Sequence, residues 1–404
     1  MAASRRQNRT GGRAGGYVLI YRIAAFFRGL ALALLWIVRR LFAIAAWPVR
    51  RWGRAETKRG WAARGVVLLA VLVLIGLYAN FFWQTQTWTN FNPDYVAAYK
   101  LHDRQVTAGE AANAAQGTAG QTSTATQGSP AGQKSCTPSA IAGVTADLID
   151  FNVNQNQWIS SMILYKLGFF GLDWDKTPFF DNKASFQRGI NQAVRRTTVE
   201  LVDTLGRVRG TSQVDTDLQS ARGNMQFDEY TWYLGWNPPG PKTPTPTYYR
   251  SAIKSLRAFN KRLAACQVTF DARADNLIQF IDRIANDIGS TSAILKDRAE
   301  NHHNGWFDFR ADDRFWFAYG QLYGYYGLLS AAQADFDDVI KDKKLTPLWD
   351  DMLAQLRSAL KIQPFIVANG REGGWIVPSH LTTMGFYVLR VRSNLVDIKS
   401  VLQQ

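Results

Sequence analysis

An uninterrupted apolar run from Gly65 to Phe82, GVVLLAVLVLIGLYANFF, constrains this chain more than any other feature. Eighteen uncharged residues rising about 1.5 Å each in a helix extend roughly 27 Å, close to the hydrocarbon thickness of a bilayer. Lys58, Arg59 and Arg64 precede the run, Trp83 and Trp88 follow it, and no charge recurs until Asp94. Basic residues stay on the cytoplasmic side and tryptophans prefer the interface, so a membrane helix is predicted over 65–83 with the N-terminus inside. A buried core helix would not need this charge asymmetry. A cleaved signal peptide is disfavoured by the long basic segment and by the lack of a small-residue cleavage site.

The formal charge of +15 is concentrated at one end. From Met1 to Arg64 there are fourteen basic residues against one acid, Glu56, which leaves the rest of the chain close to neutral. On a helix of 100° per residue, Arg22, Arg28, Arg39, Arg40, Arg50 and Arg51 fall within one arc of about 140°, with Leu30, Leu34 and Leu41 opposite. That pattern predicts an amphipathic helix lying on anionic lipid at the cytoplasmic face, those arginines contacting the membrane surface. The rival is a second span over Tyr17 to Val38, which would bury Arg22 and Arg28. Nucleic acid is not expected as a partner, because aromatic and apolar residues fill the spaces between the arginines.

Residues 1–64 are therefore read as a basic cytoplasmic segment, 65–83 as the membrane helix and 84–136 as a juxtamembrane piece with a tether. The tether, Thr107 to Gln133, is rich in Ala, Gly, Thr and Gln and cannot bury enough apolar surface to offset its ordering entropy. Residues 137–404 are read as an all-α domain, a helical bundle on the periplasmic side. Phe315, Tyr319, Leu322, Tyr326, Leu329, Phe336 and Ile340 step by helical intervals, as do Leu381, Met384, Val388, Val391, Leu395, Ile398 and Leu402. Two more stripes run from Ala274 to Leu295 and from Phe186 to Leu201. Thr137-Pro138, Thr245-Pro246 and Thr346-Pro347 mark helix starts. The stretch 236–246, WNPPGPKTPTP, reads as a stiff connector and a hinge between two helical subdomains.

Little in the sequence announces chemistry. Cys136 and Cys266 are the only cysteines, and outside the cytoplasm an even, sparse count suggests one disulfide; two separate buried thiols are the alternative. His302 and His303 are adjacent and do not share a helix face, so they read as a polar helix end. Arg371, Glu372, Trp375 and His380 cluster around the loop NGREGGW and form a speculative pocket, with histidine as acid or base and arginine as anion clamp. A capped helix start beside a glycine turn explains the same residues without chemistry. Asp335, Asp337, Asp338 and Asp342 read as a solvated acidic face. No phosphate loop, nucleophile elbow or metal motif occurs, so no cofactor is expected and an enzyme of a familiar class is disfavoured.

The stretches PFFDNKASFQRGI, FDARADNLIQFIDRI, DDRFWFAYGQLYGYYGLLSAAQADFDDVIKDK and PSHLTTMGFYVLRVRSNLVDIKSVL resemble a family of bacterial envelope proteins catalogued as domain of unknown function 2333. The resemblance covers roughly Asn152 to Gln404. It implies a bacterial inner membrane and a periplasmic domain, and it carries no active-site residue across. The expectation is a single-pass inner-membrane protein acting as an envelope interaction or scaffold module, through a protein partner or self-association along its helical seams. The alternative is a periplasmic enzyme or ligand-binding domain acting on cell-wall or lipid material.

Overall fold

The computed structural model describes residues 58–101, 107–110, 136–169, 171–177, 180–207, 213–236, 238–302, 305, 308–371 and 377–404. The chain divides into two compact units, residues 1–77 and 78–404. The arginines from Arg22 to Arg51, expected on the membrane surface, lie outside the described residues, as does most of the tether.

Helix α1 runs Lys58–Gln86. Its segment Arg64–Gln86 is long and apolar enough to cross a membrane, and only 6% of its most apolar window is buried. Leu68, Leu72 and Ile75 are exposed. A core helix of a soluble protein would bury such residues.

The second unit is mostly helical. Two short strands, β1 (Gly109–Glu110) and β2 (Cys136–Thr137), pair antiparallel with Gly109 opposite Thr137. There follow α2 (Ala140–Asp150), α3 (Ile163–Leu167), α4 (Asn182–Glu200) and α5 (Thr216–Met225). A hairpin of β3 (Leu234–Trp236) and β4 (Pro239–Pro241) leads to α6 (Thr245–Ala264). The chain ends with α7 (Ala274–Asn301), α8 (Ala311–Asp335), α9 (Asp337–Asp342), α10 (Thr346–Ala359) and α11 (His380–Leu402).

Helix α8 is the centre of the core. The stripe residues Phe315, Tyr319, Leu322 and Leu329 are buried, but so are Ala318, Tyr323, Tyr325, Leu328 and Ala331 on its other faces. A helix covered on all sides needs neighbours all round, and α2, α4, α7, α10 and α11 supply them. The stripe is interrupted at Phe336, whose φ of −113° and ψ of 27° end α8 before α9 carries Ile340 into the same core. All seven apolar stripe residues of α11 are buried, mainly against α7.

The core also extends upstream of Thr137. Trp88 stacks on Phe186 with ring centroids 4.9 Å apart, and Tyr95 stacks on Tyr323 at 4.4 Å while donating its hydroxyl to the Tyr323 carbonyl. The juxtamembrane piece is thus part of the packed body. The proline-rich stretch 236–246 lies inside this one unit as the β3–β4 hairpin and the start of α6. Thr245 there is buried, its hydroxyl donating to the Asp228 carbonyl at 2.7 Å. Of the three Thr-Pro starts, those at α6 and α10 place proline in the first turn, whereas the α2 cap is Ser139, one residue beyond Pro138.

Candidate functional site

Helices α4 and α8 meet at glycine. A Cβ on Gly189 would lie 2.1 Å from the Phe317 carbonyl oxygen, and one on Gly320 would lie 2.0 Å from that of Phe186. Only hydrogen fits between backbones this close. The crossing sets the first two turns of α4 beside the start of α8 and so assembles a polar cleft from residues far apart in sequence.

The cleft has a volume of about 330 Å³ and is lined by Arg188, Glu229, Tyr230, Arg310, Asp313 and Arg314, with Gln192 and Phe317. Arg188 organises it. One guanidinium nitrogen donates to the Tyr230 hydroxyl at 2.8 Å and the other to Ser185 Oγ at 2.9 Å. Ser185 in turn donates to Asp313 Oδ1 at 2.7 Å. Burial opposes the charge on Arg188, but Tyr165, Tyr230 and Asp313 outweigh it and hold the group cationic. Glu229 accepts from Asn191 and from Arg195, both at 2.8 Å.

Behind this wall sit two further carboxyl groups, Asp181 with no exposed surface and Asp312 at 4%. Burial, reinforced by Asp313 and then Asp312, raises the Asp181 pKa far above the carboxylate range. Burial with the charge of Asp313 lifts Asp312 up to about 8. Both shifts favour the protonated acid at pH 7, and the cleft brings the guanidinium groups of Arg188, Arg310 and Arg314 together with Asp313 and with Glu229, which is paired to Arg195. Such a cleft suits an anion, held by charge-assisted hydrogen bonds with a carboxylic acid close behind. Among the described residues no group of three or more His, Cys, Asp or Glu is arranged to hold a metal ion.

Of the residues singled out from sequence, the described ones do not line this cleft. Arg371 is exposed, and Glu372 and Trp375 lie outside the described residues. His380 is half-buried at the start of α11; its Nδ1 accepts the Ala368 N–H at 2.9 Å, and its ring faces Phe315 at 6.3 Å. Burial lowers its pKa and favours the neutral ring that this acceptor role needs. No hydrogen bond or ion pair joins Arg371 to His380 among the described residues. The nearby loop is pinned by Asn369, whose amide donates to the carbonyls of Arg298 and His302 and to Asp308 Oδ2. Cys136 and Cys266 are bonded to each other, their Cα atoms 5.4 Å apart.

Asp335 is not on a solvated acidic face. It is fully buried and caps α2, accepting from Ser139 Oγ and from the Ala140 and Ile141 N–H groups. The acids and arginines of the cleft were not singled out by sequence reasoning either. One signal was present: Arg310, Asp312, Asp313 and Arg314 open a helix that is otherwise almost uniformly apolar.

A family model described as "uncharacterized protein conserved in bacteria" matches residues 151–306 and 295–404. No curated protein and no solved structure matches the chain.

Proposed function

We propose, since the chain belongs to the DUF2333 family of proteins conserved in bacteria, that it is a single-pass inner-membrane protein whose periplasmic helical domain serves as an envelope interaction module. The observation that carries this reading is α1, whose apolar segment is almost wholly uncovered yet runs without a break into a packed domain. The basic residues before it support a cytoplasmic N-terminus bound to anionic lipid. The Cys136–Cys266 bridge supports an oxidising compartment for the domain. Phe386, Leu389 and Val396, exposed along one side of α11, support a protein partner or a second copy as the module's contact.

Protease added to right-side-out spheroplasts tests the arrangement. The domain is expected to be cut without lysis, and protection until lysis would refute a periplasmic location. Photo-crosslinking from position 389 in living cells tests the module, which fails if the chain is recovered alone under every condition.

The arginine cleft favours a second reading, a domain that binds an anionic group of lipid or cell-wall material. Pyrophosphate titrated calorimetrically against the full-length protein is the simplest probe. Replacing Arg310 and Arg314 together by alanine is expected to weaken binding by about tenfold or more. Heat of binding unchanged by that double substitution would remove the cleft from consideration.

A further inference from the structure

Residues 159–180 form a second, smaller apolar cluster around the last turns of α1. Phe81, Ile159, Leu164 and Trp174 are buried in it, with Phe81 and Trp174 rings 4.9 Å apart. Lys183, itself buried, fastens the helix end from the other side by donating to the carbonyls of Gln84 and Thr87 at 3.0 and 2.6 Å. This cluster leaves one part of itself uncovered. Between α3 and Trp174 the chain makes a tight hairpin whose Leu167, Phe169 and Leu172 are 57%, 38% and 58% exposed.

We propose that this hairpin is a lipid-binding element, immersed in the hydrocarbon of the outer-facing leaflet beside α1. The proposal rests on the reading of α1 as a membrane helix, and three independent features support it.

The first is depth. The Tyr78 hydroxyl donates to the Gly168 carbonyl at 3.2 Å, and Phe169 packs edge-on against Tyr78 with centroids 6.2 Å apart. Tyr78 precedes Trp83 by five residues, about 7 Å along a helix. Trp83 is 68% exposed and marks the interface end of the apolar segment. The hairpin is thus held level with a residue on the hydrocarbon side of that marker.

The second is its backbone. Phe169 and Leu172 exchange both hydrogen bonds, at 2.7 and 3.1 Å, and the Gly168 N–H donates to the Leu164 carbonyl at 3.0 Å. With Tyr78 on the Gly168 carbonyl, the N–H and C=O groups of Gly168, Phe169 and Leu172 are all paired within the protein. Unpaired backbone groups are costly in hydrocarbon, and pairing these six lowers that cost. The turn depends on Gly168, at φ +69°, where a Cβ would lie 2.3 Å from the Leu172 carbonyl oxygen.

The third is the placement of charge. Among the described residues the hairpin's large exposed side chains are apolar, while Lys166, Asp173 and Lys176 stand exposed at its base, where the long lysine stems carry their charges toward the headgroups. An apolar patch awaiting a protein partner would not need this fixed depth.

The test uses full-length protein in vesicles of phosphatidylethanolamine and phosphatidylglycerol. A spin label is attached at Leu172→Cys or, as a second site, at Leu167→Cys; the native cysteines are bridged and do not compete. Labels at Val73→Cys in α1 and Lys254→Cys, exposed on α6, serve as references. Collision with oxygen reports hydrocarbon and collision with a water-soluble nickel chelate reports solvent. The Leu172 label is expected to favour oxygen, as Val73 does but at shallower depth, while Lys254 favours nickel. Oxygen preference at Val73 with nickel preference at both hairpin sites would overturn the hairpin and leave the span intact. Nickel preference at Val73 would overturn the span and the hairpin with it.

Discussion

Ser139 donates its hydroxyl to Asp335 at 2.6 Å, across 196 positions of sequence, and the same carboxylate receives the first two free N–H groups of α2. A negative charge at a helix N-terminus satisfies orphan donors and the helix dipole together. Here it also joins the end of the central helix α8 to the start of α2. Asp335→Asn preserves volume but removes the charge and one acceptor. Loss of about 1–3 kcal/mol is expected in denaturant unfolding. An unchanged midpoint and slope would mean that the cap contributes nothing.

Stability should fall as pH rises through the range in which the buried acids of the cleft resist ionisation. Asp312 ionises near pH 3.8 when unfolded and only at about 8 when folded, so between those values the folded state holds the extra proton. Its contribution is complete below pH 3.8 and is lost progressively toward pH 8. Asp181 acts in the same direction over a wider window. Asp312→Asn should therefore flatten the decline in melting temperature from pH 5 to 8 and raise the value at pH 8. A pH profile parallel to that of the parent protein would contradict a buried neutral Asp312.

The α4–α8 crossing should reject even one added carbon. Gly189→Ala or Gly320→Ala places a methyl group against backbone, where no side chain can swing aside. Overpacking of this kind costs about 1–3 kcal/mol, and more where backbone must move. Thermal unfolding of both variants checks it, with Gly385→Ala as the comparison, since a Cβ there meets nothing within 4 Å. Equal melting temperatures for all three would show that the crossing has room to relax.

The bridge between Cys136 and Cys266 closes a loop of 130 residues. On the chain-entropy model such a closure stabilises by about 4 to 5 kcal/mol. Alkylation without reductant should add no mass to the intact protein, and reductant should add two labels and lower the unfolding midpoint. Two labels taken up before reduction would eliminate the bridge.

How much was legible depended on the range of the interaction. The seams of α4, α7, α8 and α11 could be read because helical spacing is written over consecutive turns, and each stripe residue named on α11 is buried. The start of α11 at His380 was legible for the same reason, since Pro378 and Ser379 precede it. Trp88 was read as an interfacial residue and Phe91 and Tyr95 as part of the juxtamembrane piece, because three aromatics carry no local sign of a distant partner. Their place is fixed by rings on α4 and α8, more than ninety residues away. Asp335 was misread because a buried cap and a solvated acid look alike until their neighbours are known.

By itself the sequence determined what short-range physics controls: one helix long and apolar enough to cross a membrane, a domain built of amphipathic helices, and a strongly basic beginning. Only the tertiary structure decided which polar groups became buried together. Arg188, Tyr230 and Asp313 come from three separate segments, and they meet because glycines let two helices touch. The energy of a charge depends on the dielectric and the partners around it, and those are properties of the folded neighbourhood rather than of any residue in the chain.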